Sequence, residues 1–342
     1  MKILFKNILI FIGLKKLYKK ISLYLVAKNN LKKSDVNKNL HNRVLKIQEK
    51  IKKDFYRHKI FPKLSLIVTS YNHSGNVVDL HKSLRKTNAD EIIVCDDGSI
   101  DGANQKWKEL LDRPNEYLYS SNENHEGMII DRAFLSSRAE ILCILQDDDI
   151  PPLNDEWVLN ALNLFKRYPD LVILGANGGN ILDRKDNTFE NYNSYGYSPE
   201  IRDLTNRKRD NKIKKIHKGI KHENINFMFI HAVNIGPLFI RKNFYLESGG
   251  YKIDHIGIGN TAIFMDWEMC LNAWKMNKCV ALYKVKDFKR RVGGSRQQVF
   301  QLNNRIIQSQ KNKKFLEENY SFEFLNSVLK KIDNLNNKLD DF

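Results

Sequence analysis

The chain has 342 residues, 42% of them hydrophobic and 11% aromatic, which excludes a disordered or low-complexity polypeptide. Its formal net charge is +17, and residues 1–63 hold 18 Lys/Arg against Asp35, Glu49 and Asp54, so +15 sits in that arm and about +2 in the rest. A near-neutral globule with one basic arm excludes a surface that coats nucleic acid, and no nucleic-acid partner is expected.

The arm opens MKILFKNILIFIGLKKLYKKISLYLVAK, and its longest uncharged stretch, Asn7 to Leu14, is far short of the ~20 residues that span a bilayer. No small-residue cleavage site follows, which argues against a secretory signal. Ile8, Phe11, Ile12, Leu17, Ile21 and Leu25 are interleaved with Lys15, Lys16, Lys19 and Lys20. That pattern suits a helix lying in a membrane interface with its lysines at anionic headgroups. Residues 1–62 are therefore read as a basic amphipathic helical arm, with residues 1–28 a peripheral anchor on an anionic membrane surface. The competing reading is a helix packed on the main domain.

From residue 63 short apolar runs alternate with helical spacing. LSLIVTSYN (64–72), EIIVCDDGS (91–99), YLYSSNENHEG (117–127) and ILCIL (141–145) read as strands with their loops. VVDLHKSLRKT (77–87), NQKWKELLD (104–112) and MIIDRAFLSSRA (128–139) read as helices. Such alternation predicts an α/β fold with a mostly parallel sheet flanked by helices, its ligand beyond the C-terminal strand ends. Polar residues gather at those ends: Thr69, Tyr71 and Asn72; Asp96 and Asp97; Asp147, Asp148 and Asp149. Neither GxGxxG nor GxxxxGK[ST] follows the first strand, which argues against a dinucleotide dehydrogenase and a P-loop enzyme.

Three adjacent aspartates at a strand tip repel one another, and a hard divalent cation with oxygen ligands would relieve them. A solvated acidic turn or a helix cap before Trp157 is the alternative. Asn234 to Pro237 are expected to begin a strand into Phe239 and Ile240, and Gly249-Gly250 a turn. Residues 183–222 are polar, basic and too long for an ordinary loop; a mobile lid over the acceptor or a membrane-facing insertion is expected, with solvated filler as the alternative. The tail from 296 to 342 reads as a helical extension. Its Leu325, Val328, Ile332, Leu335 and Leu339 recur at 3-to-4 spacing, for core packing first and a dimer helix second. Cys95, Cys143, Cys270 and Cys279 show no metal spacing and read as reduced core residues of a cytosolic protein. The histidines show no ligand spacing.

SLIVTSYN, IIVCDDGSIDG, NENHEGMIIDRAF, ILQDDD and MDWEMCLNAW, in that order, resemble the family 2 glycosyltransferases of GT-A fold over residues 64–295. The resemblance implies inverting, metal-dependent transfer of a sugar from a nucleotide diphosphate sugar to an acceptor, of hexosyl- or hexosaminyltransferase type. It implies a nucleotide-binding half at 63–150 and an acceptor half at 151–295. Thr69, Tyr71 and Asn72 would edge the nucleotide pocket, Asp97 would bind the base, Arg132 would lie near base or diphosphate, and Asp147 near the ribose. Asp148, with Asp149 as its neighbour, would hold Mn²⁺ or Mg²⁺. The expected acceptor is a glycan or lipid-linked hydroxyl in cell-surface polysaccharide or lipopolysaccharide synthesis, at the inner face of the cell membrane.

Three departures stand out. Gln146 replaces the first aspartate of the common Leu-Asp-x-Asp-Asp pattern. Asp131-Arg132-Ala133 stands for Ala-Arg-Asn. Arginine stands where a histidine commonly precedes Gly-Gly-Ser, in Arg290-Arg291-Val292-Gly293-Gly294-Ser295; Arg291 is expected to hold the diphosphate bidentately.

Independently of the family, the chemistry needs a carboxylate base on the acceptor side. Asp266 and Glu268, at the start of a predicted helix, are the candidates, with helix capping as the alternative role. The resemblance favours Asp266. Trp267 is expected to stack on the acceptor sugar, and backbone near Gly236 to approach it. A nucleotidyltransferase or another nucleotide-sugar enzyme is the second reading, and a non-catalytic basic adaptor the third.

Overall fold

The computed structural model describes residues 63–122, 124–176, 178–185, 188–196, 216–218, 224–251, 262–291 and 299–339. The arm at 1–62, with its membrane expectation, lies outside them.

The first half follows the expected alternation: β1 (Leu64–Ser70), α1 (Val77–Lys86), β2 (Glu91–Asp96), α2 (Ala103–Leu110), β3 (Glu116–Ser120), α3 (Glu126–Ser136) and β4 (Ile141–Gln146). β1 pairs in parallel with β2 and β4, and β2 with β3. Leu66, Ile67 and Val68 of β1 and Leu142, Cys143 and Ile144 of β4 are wholly buried, because a central parallel strand is covered on both faces. Parallel direction puts the loops after β1, β2, β3 and β4 on one edge of the sheet. Trp107 of α2 pins the first of them, donating its indole N–H to Ser70 Oγ at 3.1 Å inside the core.

The second half adds β5 (Asp149–Ile150), α4 (Glu156–Arg167), β6 (Leu171–Gly175), β7 (Gly178–Lys185), β8 (Thr188–Gly196), β9 (Ile216–Lys218), β10 (Asn224–Phe229), β11 (Ala232–Val233) and β12 (Leu238–Arg241). After them come α5 (Lys242–Glu247), α6 (Met265–Lys275), β13 (Cys279–Tyr283), β14 (Lys289–Arg290), α7 (Val299–Asn319) and α8 (Phe322–Lys338). The large sheet runs β3-β2-β1-β4-β12-β6-β13-β10-β9. Only β12 and β10 run against the others, so the sheet is mostly parallel and flanked by helices, as expected.

Two expectations change. The strand expected from Asn234 begins only at Leu238, and Asn234 to Pro237 form an irregular connection instead. Within the polar segment 183–222, β8 pairs antiparallel with β7, because ladder hydrogen bonds satisfy the backbone whatever the side chains. The rest of that segment, apart from β9, lies outside the described residues.

The C-terminal stripe is spent on the chain's own core. Leu325, Val328 and Ile332 are buried, and Leu335 packs against the same cluster. Asn336 serves the edge of β10 as a neighbouring strand would: its Oδ1 accepts from Phe229 N–H at 2.7 Å and its Nδ2 donates to Phe229 O at 3.0 Å. The four cysteines are free, Cys279 alone partly exposed, and burial pushes the Cys95 thiol up to about 12. Among the described residues no helix is long and apolar enough to cross a membrane.

Candidate active site

The three aspartates leave the tip of β4 in two directions. Asp147 turns to the loop after β1: its Oδ2 accepts from Tyr71 N–H at 2.7 Å, and its Oδ1 lies 3.5 Å from His73 Nδ1. Its carbonyl accepts from Asn76 Nδ2 at 3.0 Å. Burial raises the Asp147 carboxyl and His73 opposes the rise; in return the hydrogen bond to Asp147 raises the His73 imidazole above its ordinary value. Asp148 and Asp149 face the other way, toward Arg290. Arg290 Nε lies 3.7 Å from Asp148 Oδ2 and 3.6 Å from Asp149 Oδ1. Asp149 is wholly buried, its Oδ2 accepts from Gln146 N–H at 2.8 Å, and burial pushes its carboxyl up to about 7 against the pull of Arg290.

Sequence reasoning missed Arg290 and Glu126. β14 pairs antiparallel with β5, setting Arg290 opposite Asp149, while Arg291 N–H donates to the Asp148 carbonyl at 2.8 Å. Gln146 Oε1 accepts from Arg290 Nη2, and Gln146 Nε2 donates to Glu126 Oε1 at 2.8 Å. Thr69 Oγ1 lies 3.5 Å from the same Glu126 oxygen. The neutral amide therefore joins a cation to an anion. Its appearance in place of an aspartate was the available signal. Arg291, the expected diphosphate ligand, is directed elsewhere: its guanidinium donates to Asn76 Oδ1 and Asp79 Oδ2, both at 2.8 Å.

On the donor side Asn72 N–H donates to Ser99 Oγ at 2.9 Å and Asn72 Oδ1 accepts from Ile100 N–H at 2.8 Å, which ties the first two loops together. Asp97 is buried and holds the third loop. Its Oδ1 accepts from Ser121 Oγ at 2.8 Å and Asn124 N–H at 2.9 Å, and its Oδ2 from His125 N–H at 2.8 Å. Its carboxylate thus shapes the entry to α3, and binding the base is no longer its first occupation. Arg132 is exposed on α3.

On the acceptor side the two carboxylates of α6 part company. Asp266 Oδ2 accepts from Ile235 N–H at 3.1 Å and Oδ1 from Trp267 N–H at 3.0 Å. The residue keeps some surface open, yet burial pushes its carboxyl up to about 7, with the two backbone donors opposing and Glu126 adding to the rise. Glu268 is buried and turns toward the C-terminal helices, where Tyr320 Oη donates to its Oε1 at 3.3 Å. Two helical positions differ by roughly 200°, so only one of the pair can face the site. Trp267 is buried, its indole N–H donates to Asn234 Oδ1 at 3.1 Å, and its ring lies 4.7 Å from that of Phe264. It braces the connection before β12 and is not free to stack on a sugar. Gly236 makes room for a carboxylate: a Cβ there would stand 2.1 Å from Asp149 Oδ2.

The family model described as Glycosyl transferase family 2 matches residues 65–229. A curated relative, the "Uncharacterized glycosyltransferase MG060" of Mycoplasma genitalium, is 29% identical over 116 residues, which is 31% of this chain and 37% of that protein. The chain thus spans well under half of that relative. Among solved structures, S. aureus TarS 1-349 is 15% identical with a TM-score of 0.42, covering 66% of this chain and 60% of that one. The same protein in complex with UDP-GlcNAc is 16% identical with a TM-score of 0.44, covering 69% and 61%.

The family 2 match ends at Phe229, so Asp266 and Arg290 come from chain beyond it. Family 2 glycosyltransferases commonly use a divalent metal. The donor set does not fit one as folded. Among the described residues no three His, Cys, Asp or Glu side chains converge as ligands. The point to which Asp148 and Asp149 both turn is held by a guanidinium.

Proposed function

We propose that this protein is an inverting glycosyltransferase that moves a sugar from a nucleoside diphosphate to a hydroxyl of a glycan or lipid-linked acceptor, with Asp266 as general base. One observation carries the reading. Asp266 is a half-buried residue whose carboxyl burial pushes up to about 7, on a different element from the aspartate triplet and linked to it through Ile235 and Gly236. A base whose pKa lies near the working pH is well matched to removing a hydroxyl proton. Departure of the diphosphate builds negative charge, and Arg290 is the cation at the strand tips that can meet it with planar, paired donors. Tyr71, Asn72 and the loops tied by Asp97 and Asp147 form the nucleotide side of this reading. Arg132 and Arg291 are rim residues in it.

The test is a turnover screen of UDP-, GDP- and dTDP-linked hexoses and N-acetylhexosamines, with and without acceptor glycans. Release of nucleoside diphosphate from at least one donor is the expected result; nucleotidyl transfer, read as release of sugar 1-phosphate from these donors, would replace this reading with the second one.

Surface-glycan synthesis at the inner membrane face is part of the same proposal, and it rests on the +15 arm. The full chain should sediment with anionic vesicles and release as salt is added, since Debye screening shortens surface attraction. A deletion of residues 1–28 that still sediments fully would remove the anchor from the proposal.

A further inference from the structure

We infer that Arg290 is the built-in cation of the donor site, standing where a divalent ion would stand, so that the nucleoside diphosphate binds without metal. The inference rests on the glycosyltransferase reading and deepens it.

Four observations carry it. First, Asp148 Oδ2 and Asp149 Oδ1 both point at one atom, Arg290 Nε, from 3.7 and 3.6 Å. That convergence on a single positive centre is what two carboxylates offer a bound cation. Second, among the described residues Asp149 Oδ1 and Arg290 Nε are both buried without a hydrogen-bond partner. They are matched by charge alone, and leaving either unmatched inside the protein would be costly. Third, the arginine is placed by backbone. The β14–β5 pairing sets Arg290 against Asp149, and Arg291 N–H donates to the Asp148 carbonyl at 2.8 Å. Fourth, Gln146 holds the guanidinium in place: its Oε1 accepts from Arg290 Nη2, and its Nε2 hands the chain of contacts on to Glu126 at 2.8 Å.

A divalent ion added beside this guanidinium would put like charges a few ångströms apart in a poorly solvated place. The ion and Arg290 are therefore alternatives for one position. A guanidinium has five N–H donors in a planar fork, so holding Gln146 leaves it donors for phosphate oxygens.

The experiment measures binding apart from turnover. Binding of UDP, GDP and dTDP to the full chain is followed by calorimetry in EDTA and in Mn²⁺, and Mn²⁺ binding alone by electron paramagnetic resonance. Expected for the wild type is equal nucleotide affinity in both media and no tightly held Mn²⁺. Arg290→Gln should lose about 10- to 100-fold in EDTA, the usual weight of a charged hydrogen bond, and should gain both a bound-Mn²⁺ signal and nucleotide affinity when Mn²⁺ is present. A wild type that holds Mn²⁺ and binds nucleotide only with it overturns the inference and leaves the glycosyltransferase reading standing. No binding of any of the three nucleotides in either medium overturns both. The wild-type measurements decide the matter even if the variant fails to fold.

Discussion

Asp266→Asn is expected to lower turnover by about 10²–10⁴-fold while leaving nucleotide binding intact, because it removes a general base and nothing on the donor side. The base works ionised. With its carboxyl pushed up to about 7, wild-type turnover should rise with pH through that value, and the residual activity of the variant should lack this limb. The fold should survive the change. The wild-type carboxyl takes up its proton more readily in the folded than in the unfolded chain, where its ordinary value is 3.8. The folded state therefore holds the extra proton between the two values, and stability falls as pH rises from 3.8 to about 7. Asparagine has no charge to bury, which favours the variant above that window. Against this, its amide can accept from only one of the two backbone donors, Ile235 and Trp267, and presents an N–H to the other. These effects oppose each other, so melting temperature at neutral pH should move little and its decline with pH should flatten; Asp149 keeps part of the slope, being raised over the same range. Glu268→Gln is the control. It touches Tyr320, away from the site, and should retain most turnover. A dead Glu268→Gln beside a working Asp266→Asn would reverse the assignment.

Much of this architecture is legible in the chain because parallel strands leave long apolar runs and the polar ends of those runs mark the ligand edge. ILCILQDDD could be placed at a strand tip from its pattern alone. What was not legible depends on direction within short elements. Arg290 and Arg291 are neighbours on a two-residue strand, and neighbours on a strand point to opposite sides. Composition offers two arginines; only the pairing with β5 decides that Arg290 meets the carboxylates while Arg291 clamps Asn76 and Asp79. Glu126 reads as a helix-start acid and becomes a site residue only because Gln146 reaches it across the sheet edge. Trp267 carries an aromatic ring that suits a sugar, but its neighbour Phe264 sits in a left-handed conformation (φ 69°) and covers it. Such turns are set by tertiary contacts, which periodicity does not report.

Gly236→Ala is expected to damage both stability and catalysis, and its position explains why one methyl group does so much. Gly236 has φ +92°, a region that costs an L-residue about 1–2 kcal/mol. The added Cβ would meet Asp149 Oδ2 at 2.1 Å and Asp149 Cγ at 2.9 Å. Asp149 has little freedom to yield. It is wholly buried, that same Oδ2 accepts from Gln146 N–H, and its backbone is paired with β14. Overpacking of this kind costs about 1–3 kcal/mol, so the total is a few kcal/mol out of the roughly 5–15 that hold a domain together. The catalytic loss follows from the neighbour. Ile235 N–H holds Asp266 Oδ2, so a shift of this connection moves the base and the Arg290–Asp149 pair at once. A displacement near 1 Å can cost about 10²-fold in rate, and that is the loss expected for Gly236→Ala in whatever fraction folds. Gly75→Ala is the matched control, since a Cβ there meets nothing within 4 Å; it should leave melting temperature and turnover unchanged. Thermal unfolding and turnover of both variants check the argument. A Gly236→Ala protein as stable and as active as the Gly75→Ala protein would mean that Asp149 moves freely, and that the connection between β11 and β12 does not couple the aspartate triplet to Asp266.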